Sequence, residues 1–458
     1  MSSLQPVLDQ IEKDSQHALD RLFEFLRIES ISTDPAYASQ CVNAADWLVK
    51  DLKSFGVSAQ RHDTAGHPMV TGHSGSGHAN VLFYGHYDVQ PVDPLELWAN
   101  PPFEPALEKI PGGEVIRARG AADDKGQLMT FVEACRAWHA VHGELPSNIT
   151  FLFEGEEESG SPSLVPFLKQ HADLLQADLA LVCDTGMWDS NTPAICTMLR
   201  GMLGEELTIT AADKDLHSGM YGGPAQNPIR VLSRILAGLH DENGRVTVPG
   251  FYDGVHPLPE QIATQWKGLG FNVDEFLGGV DLSVVAGEKE YCAIEQLWSR
   301  PTCEINGIMG GYTGEGFKTV LPSQASAKLS FRLVGDQDPL AIRKSFRDYV
   351  QQSLPADCSV EYVDHGASPG TVLPLDNPAF EKSRIALSEE WENEAVYAGC
   401  GGSIPIVGYF QEYLNMDSLL VGFGLDDDQI HSPNEKYDLK SFQKGIRSWA
   451  RVLDSLAS

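Results

Sequence analysis

The sequence predicts a discontinuous α/β domain interrupted by a smaller α+β domain, and three observations carry that prediction. The chain has 458 residues, more than one hydrophobic core ordinarily serves. Short apolar runs alternate with helical patterns up to about residue 200 and again after about residue 370. Between them the pattern shifts to a strand with strict apolar alternation, suited to a sheet with one exposed face.

Taken in order, Leu8, Ile11, Leu19, Leu22, Phe23 and Leu26 recur at helical spacing, so residues 4–28 read as an amphipathic opening helix. NVLFY (Asn80–Tyr84), ITFLF (Ile149–Phe153) and LALVC (Leu179–Cys183) are continuous apolar runs of strand length, the pattern of strands buried on both faces. Gln127–Val141 and Ser163–His171 read as helices among them. In the middle segment Glu206–Thr210 is a strand and Pro228–Leu239 a helix, while Ala325–Val334 is a strand with Ala327, Leu329, Phe331 and Leu333 on one face. A helix over Pro339–Leu354 and a strand over Ser359–Val363 complete a ferredoxin-like order. The first pattern resumes with a strand at Leu419–Phe423 and a closing helix over Asp438–Leu456.

Composition narrows the partners. A hydrophobic content of 42% is that of an ordinary globular protein. With 33 basic against 64 acidic residues the net charge is −31, which argues against nucleic acid and anionic membrane surfaces because phosphates would be repelled. No apolar run approaches the ~20 residues of a membrane helix, and the N-terminus has neither a basic leader nor an apolar signal core. A cytoplasmic setting is therefore expected. The cysteines, at positions 41, 135, 183, 196, 292, 303, 358 and 400, lack CxxC spacing and fit reduced thiols, which leaves His and carboxylates as ligands for any metal.

Ligand-type residues gather where the apolar runs end. His86 and Asp88 stand in GHYD directly after NVLFY, at a strand's carboxyl end, where α/β sheets place their sites. A metal ligand with an orienting Asp, or a turn histidine with a capping Asp, both fit. Asp123 and Asp124 in RGAADDKG precede a helical stretch, where they would serve as ligands or as a cap. Glu154 and Glu156 to Glu158 in FEGEEESG follow ITFLF, and like charges packed so tightly raise one another's pKa unless cations relieve them. Asp184 ends LALVC, and His431 lies in DDDQIHSPNE after the last strand. Two His and three or four carboxylates are what a pair of borderline-hard cations needs.

GHYD, RGAADDKG, FEGEEESGS, the Asp after LALVC and DQIHSPNE, in that order and spacing, resemble the di-zinc metallopeptidases that include carnosinases, cytosolic nonspecific dipeptidases, glutamate carboxypeptidases, desuccinylases and aminoacylases. The resemblance spans nearly the whole chain. It implies a zinc-peptidase catalytic domain over about 1–199 and 370–458, with a lid and dimerisation domain inserted over about 200–369. It further implies that Asp123 bridges two divalent cations, zinc with manganese and cobalt as alternatives. His86 and Asp184 complete one site and Glu158 and His431 the other. Glu157 becomes the general base and Asp88 its orienting partner, and a cis peptide is expected at Asp123-Asp124.

In the inserted segment the same resemblance implies that His217 (DLHSGMYGG) steadies the oxyanion, contributed by the partner of a homodimer. Arg332 (FRL) would clamp a substrate carboxylate with its planar fork, joined by Thr319, His365, Gly402 and Ser403. Read without the resemblance, Arg332 suits a surface ion pair and His217 a turn. The substrate is then a dipeptide or short peptide with a free carboxylate, since Asp at 184, where other branches carry Glu, favours the dipeptidase branch. Deacylation of an N-acyl amino acid by the same site, and a non-catalytic binding protein on this scaffold, are the alternatives.

Overall fold

The apolar runs become the centre of one sheet. In the computed structural model, which describes residues 4–75, 77 and 79–457, strands Asn148–Glu154, Asn80–His86, Leu179–Val182 and Asp417–Gly422 lie side by side and parallel. Nearly every residue of the four is buried, which is why they read as unbroken apolar runs. Antiparallel strands extend the sheet, with Met69–Ser74 and then Ser58–His62 beyond Asn148–Glu154, and Ala194–Leu199 beyond Asp417–Gly422.

Two long helices meet the sheet at Phe83. Lys125–His142 starts after Asp124 and ends at Gly143, whose φ of 76° a side chain would resist and whose N–H donates to His139 O. It stacks Phe131 on Phe83 at 3.7 Å between ring centroids. Leu439–Ala457 brings Trp449 edge-on to both rings, at 5.9 and 5.3 Å, and Trp449 is fully buried. The opening segment differs from expectation: it forms two helices, Gln5–Lys13 and Ser15–Leu26, broken at Asp14. There the backbone leaves helical geometry and the carboxylate receives His17 and Arg21, each at 2.8 Å. The helix Ala38–Ser54, absent from the sequence reading, is tied to the first long helix by Arg136 holding Asp51 at 2.6 Å.

The chain divides into two compact units. One comprises Met1–Thr197, Leu373–Ala398 and Tyr409–Ser458, the other Met198–Val372 and Gly399–Gly408. The second unit is built on an antiparallel sheet in the order Thr302–Gly310, Gln324–Leu333, Gly201–Thr210, Ser359–Ser368. Ala327, Leu329, Phe331 and Leu333 share the buried face, as their alternation predicts, and pack against Pro228–Ala237 and Pro339–Ser353 through Val231, Ile235 and Phe346. One charge sits in that core: Glu205 is buried between Arg343 at 2.7 Å and Arg347 at 2.8 Å, both on the helix above it. The strand Thr302–Gly310 and the helices between residues 260 and 298 have no counterpart in the sequence reading.

Replacing Trp449 by Ala removes the ring that joins both helices to Phe83 and is expected to cost about 3–5 kcal/mol of unfolding free energy in a urea titration. A loss under about 1 kcal/mol would contradict this packing.

Candidate active site

Parallel strands deliver their carboxyl ends to one edge of the sheet, and the ligand-type residues follow them there. His86 is the last residue of its strand, Glu157 and Glu158 open a short turn after Asn148–Glu154, and Asp184 comes just after Leu179–Val182. His431 lies in the loop beyond Asp417–Gly422, where Gln429, His431 and Asn434 all hold positive φ, of 56°, 60° and 66°. Three non-glycine residues in that left-handed region mark a loop held against its local preference, a frequent property of functional loops.

These side chains converge on Asp123. One ligand atom from each of His86, Asp123 and Asp184 lies within 4.8 Å of the others, and the same holds for Asp123, Glu158 and His431. Asp123 therefore belongs to both groups. Its Oδ1 is 3.1 Å from His86 Nε2 and its Oδ2 is 2.9 Å from His431 Nε2, while Glu158 Oε2 is 3.2 Å from the same His431 nitrogen.

The arrangement fits divalent cations. His86 Nε2 is buried, yet no hydrogen bond satisfies it despite the nearby carboxylate oxygen. Asp184 is driven well above the usual carboxylate range by burial, and its neighbours Asp124 and Asp123 add to this against the opposing pull of His86. Three crowded carboxylates and two imidazoles with an orphaned nitrogen are a donor set for a pair of cations.

Around the ligands, carboxylates hold the backbone. Asp88 is fully buried, lies 3.4 Å from His86 Nδ1, and accepts the N–H groups of Glu157 at 3.3 Å and Glu158 at 3.0 Å. One carboxylate thus orients the His86 ring and the turn carrying both glutamates. Glu157 is half-buried, and burial raises it to about 7, with Glu158, Asp123 and Asp88 adding to the shift while His86 opposes it. The peptide Asp123-Asp124 is cis, as the resemblance implies. Asp124 accepts the His86 N–H at 3.2 Å.

In the second unit the expected residues form separate groups. His217 is exposed on a two-residue strand beside Val320–Leu321, accepts the Gly219 N–H at 3.0 Å, and is followed by Ser218, whose N–H donates to Thr319 O at 3.1 Å. Arg332 donates to Ser403 Oγ at 3.1 Å. The Gly402 N–H points to Cys400 Sγ at 3.3 Å. His365 stands on Ser359–Ser368 against Glu206 at 3.0 Å.

Sequence reasoning passed over Gln90, which donates to Glu158 Oε2 at 2.7 Å, and Glu435, which is fully buried behind Asp123. Gln90 carries no sequence signal beyond standing near GHYD. Glu435 ends the stretch that carries His431, but nothing in the sequence says that its carboxylate turns inward.

Comparison with known proteins places the chain among metallopeptidases. The sequence model of Peptidase family M20/M25/M40 matches residues 82–455. The Cys-Gly metallodipeptidase DUG1 of Candida albicans is 30% identical over 467 residues, spanning 97% of this chain and 96% of its own length. The Beta-Ala-His dipeptidase of Homo sapiens is 29% identical over 398 residues, 85% of this chain and 78% of its own. Among solved structures, the M20 family metallo-carboxypeptidase Sso-CP2 from Sulfolobus solfataricus superposes with a TM-score of 0.83 at 31% identity, covering 96% of this chain and 99% of its own.

Gly155 tests how tightly the glutamate turn is held. A Cβ there would stand 2.3 Å from the Tyr87 hydroxyl, whose ring is buried and whose O–H donates to Pro68 O. Gly155→Ala is expected to cost about 1–3 kcal/mol in urea unfolding and to weaken divalent-cation binding measured by calorimetry. Unchanged binding would show that the turn tolerates displacement.

Proposed function

The chain belongs to peptidase family M20/M25/M40, and on that premise we propose that it is a dipeptidase, hydrolysing the peptide bond of dipeptides and short peptides that carry a free carboxylate. The observation that carries the reading is the sharing of Asp123 by two ligand groups beside the half-buried Glu157. The family is one of metal-dependent hydrolases, and the residues to hold two cations are His86, Asp123 and Asp184 on one side and Asp123, Glu158 and His431 on the other. Imidazole and carboxylate donors suit zinc, with manganese and cobalt as substitutes. Such cations, when bound, acidify a water and polarise a carbonyl.

The chain's own residues do the rest. A carboxylate oxygen of Glu157 removes a proton from the attacking water and passes it to the leaving amine nitrogen, a role suited to a group raised to about 7 by burial and by Glu158, Asp123 and Asp88. Asp88 keeps Glu157 and His86 aimed through the contacts described above. Arg332 clamps the substrate carboxylate with Ser403 and Gly402 beside it, Thr319 and His365 contribute further contacts, and His217 steadies the oxyanion.

We also read the protein as a homodimer through the inserted segment, which would let His217 serve the partner's site. The exposed Ile308 and Met309 on the edge strand Thr302–Gly310 support that reading, as does the exposed position of His217. A cytoplasmic setting agrees with eight cysteines that form no disulfide. No helix among the described residues is long and apolar enough to cross a membrane.

Glu157→Gln tests the base. It spares every assigned ligand, so about two cations per chain should remain bound while turnover of dipeptides falls by about 10²–10⁴-fold. Retained turnover would overturn the role, and faster turnover of N-acetyl amino acids than of dipeptides by the wild type would overturn the substrate class. Arg332→Ala is expected to raise KM with less effect on kcat, read from initial rates. An unchanged KM would place the clamp elsewhere.

A further inference from the structure

Behind Asp123 lies a second carboxylate that the reaction does not use. Glu435 is fully buried and both of its oxygens are engaged. Oε2 accepts Arg119 Nη1 at 2.7 Å and the Gly120 N–H at 3.1 Å; Oε1 accepts the Ala122 N–H at 2.9 Å and the Asp123 N–H at 3.1 Å. Four donors therefore point at one side chain, and three of them are backbone groups of the short segment that ends on the shared ligand. Charge-assisted bonds of this kind are stronger than neutral ones and fix direction as well as distance.

The segment has little freedom to find this shape by itself. Gly120 holds φ at 80°, and a Cβ at Gly126 would stand 1.9 Å from Ala121 O. Arg119 is itself nearly fully buried, donates to Pro91 O at 3.0 Å, and lies over the Trp98 ring at 5.3 Å. It is an anchored counter-charge. Glu435 also belongs to the loop that carries His431, and its own backbone is tied to the first segment by the Ala118 N–H donating to Glu435 O at 3.3 Å. The same device occurs once more at this site, where Asp88 accepts two consecutive N–H groups of the turn carrying Glu157 and Glu158.

We propose that Glu435 is a positioning residue: by gathering the backbone N–H groups of residues 120, 122 and 123 it sets Asp123 as the ligand common to both cation sites and joins that ligand's segment to the loop of His431. This rests on the assignment of Asp123 as the shared ligand. Its consequence is specific. A defect at Glu435 weakens both cations together, because the ligand it displaces belongs to both, and it does so without touching either cation.

The test is a cobalt(II) titration of metal-stripped full-length protein, read by the visible absorption of the bound ion and by calorimetry. Glu435→Gln keeps the volume, but its amide nitrogen can only donate, so it faces donors where an acceptor is needed. Both cations are expected to bind about 10–100-fold more weakly than in the wild type. Arg119→Met, which leaves all three backbone bonds in place, is expected to cause a smaller loss. Where Glu435→Ala fails to fold, the Gln variant carries the decision.

A purely structural role would lower the unfolding temperature of the metal-free Gln variant while leaving the affinities of the folded protein at the wild-type value, and that result overturns the proposal. Weakening of one cation alone also overturns it. A wild type that binds fewer than two cations would remove the assignment beneath the inference, and the inference with it, and this outcome is read from the wild type before any variant is made.

Discussion

Carboxylates forced close together govern this molecule. Asp123 stands within reach of Asp184 in one group of donors and of Glu158 in the other, and like charges do not stay so close unless something holds them. The holding is done by backbone and by buried strands. Four parallel strands with almost no exposed residue give rigid ends, and each end places one ligand or the turn that bears it. Asp88 and Glu435 then accept the N–H groups of the turns, so the repulsion among the carboxylates is opposed by hydrogen bonds that are buried at Glu435 and partly buried at Asp88.

Much of this could be read from residue order. NVLFY, ITFLF and LALVC announce doubly buried strands because a strand covered on both faces has no reason to alternate, and the ligand-type residues stand directly after them. The alternation of Ala327, Leu329, Phe331 and Leu333 equally declares a sheet with one wet face. What escaped was whatever depends on long-range contact. The break at Asp14 comes from a carboxylate taken by Arg21 and His17, the helix Ala38–Ser54 buries mostly small residues and one carboxylate, Asp51, whose Arg136 partner is distant in sequence, and Thr302–Gly310 is an edge strand with exposed residues where a pattern would be. At the site, His86, Asp123, Glu158, Asp184 and His431 were legible by type and position, and the structure brings them together. Gln90 and Glu435 were not, because nothing in a sequence tells an inward carboxylate from an outward one.

The two units solve different problems. The first gathers many of its buried charges at the site, whereas the second buries Glu205 between two arginines on the helix that covers it. Its remaining assigned residues stand in separate groups, on a two-residue strand, beside a loop and on a bulged strand. Short strands and loops are where binding groups usually stand, supported by a core built elsewhere.

The wide separation in sequence between His431 and the side chains it meets has a consequence for folding. The other ligands are translated long before it, and the whole second unit is made in between. A nascent chain can fold its early strands, but its ligand set stays incomplete until the last strand has paired beside Leu179–Val182 and the loop beyond it has closed. The cluster of donors is therefore a product of the finished first unit, assembled by pairing between strands far apart in sequence rather than by any local segment.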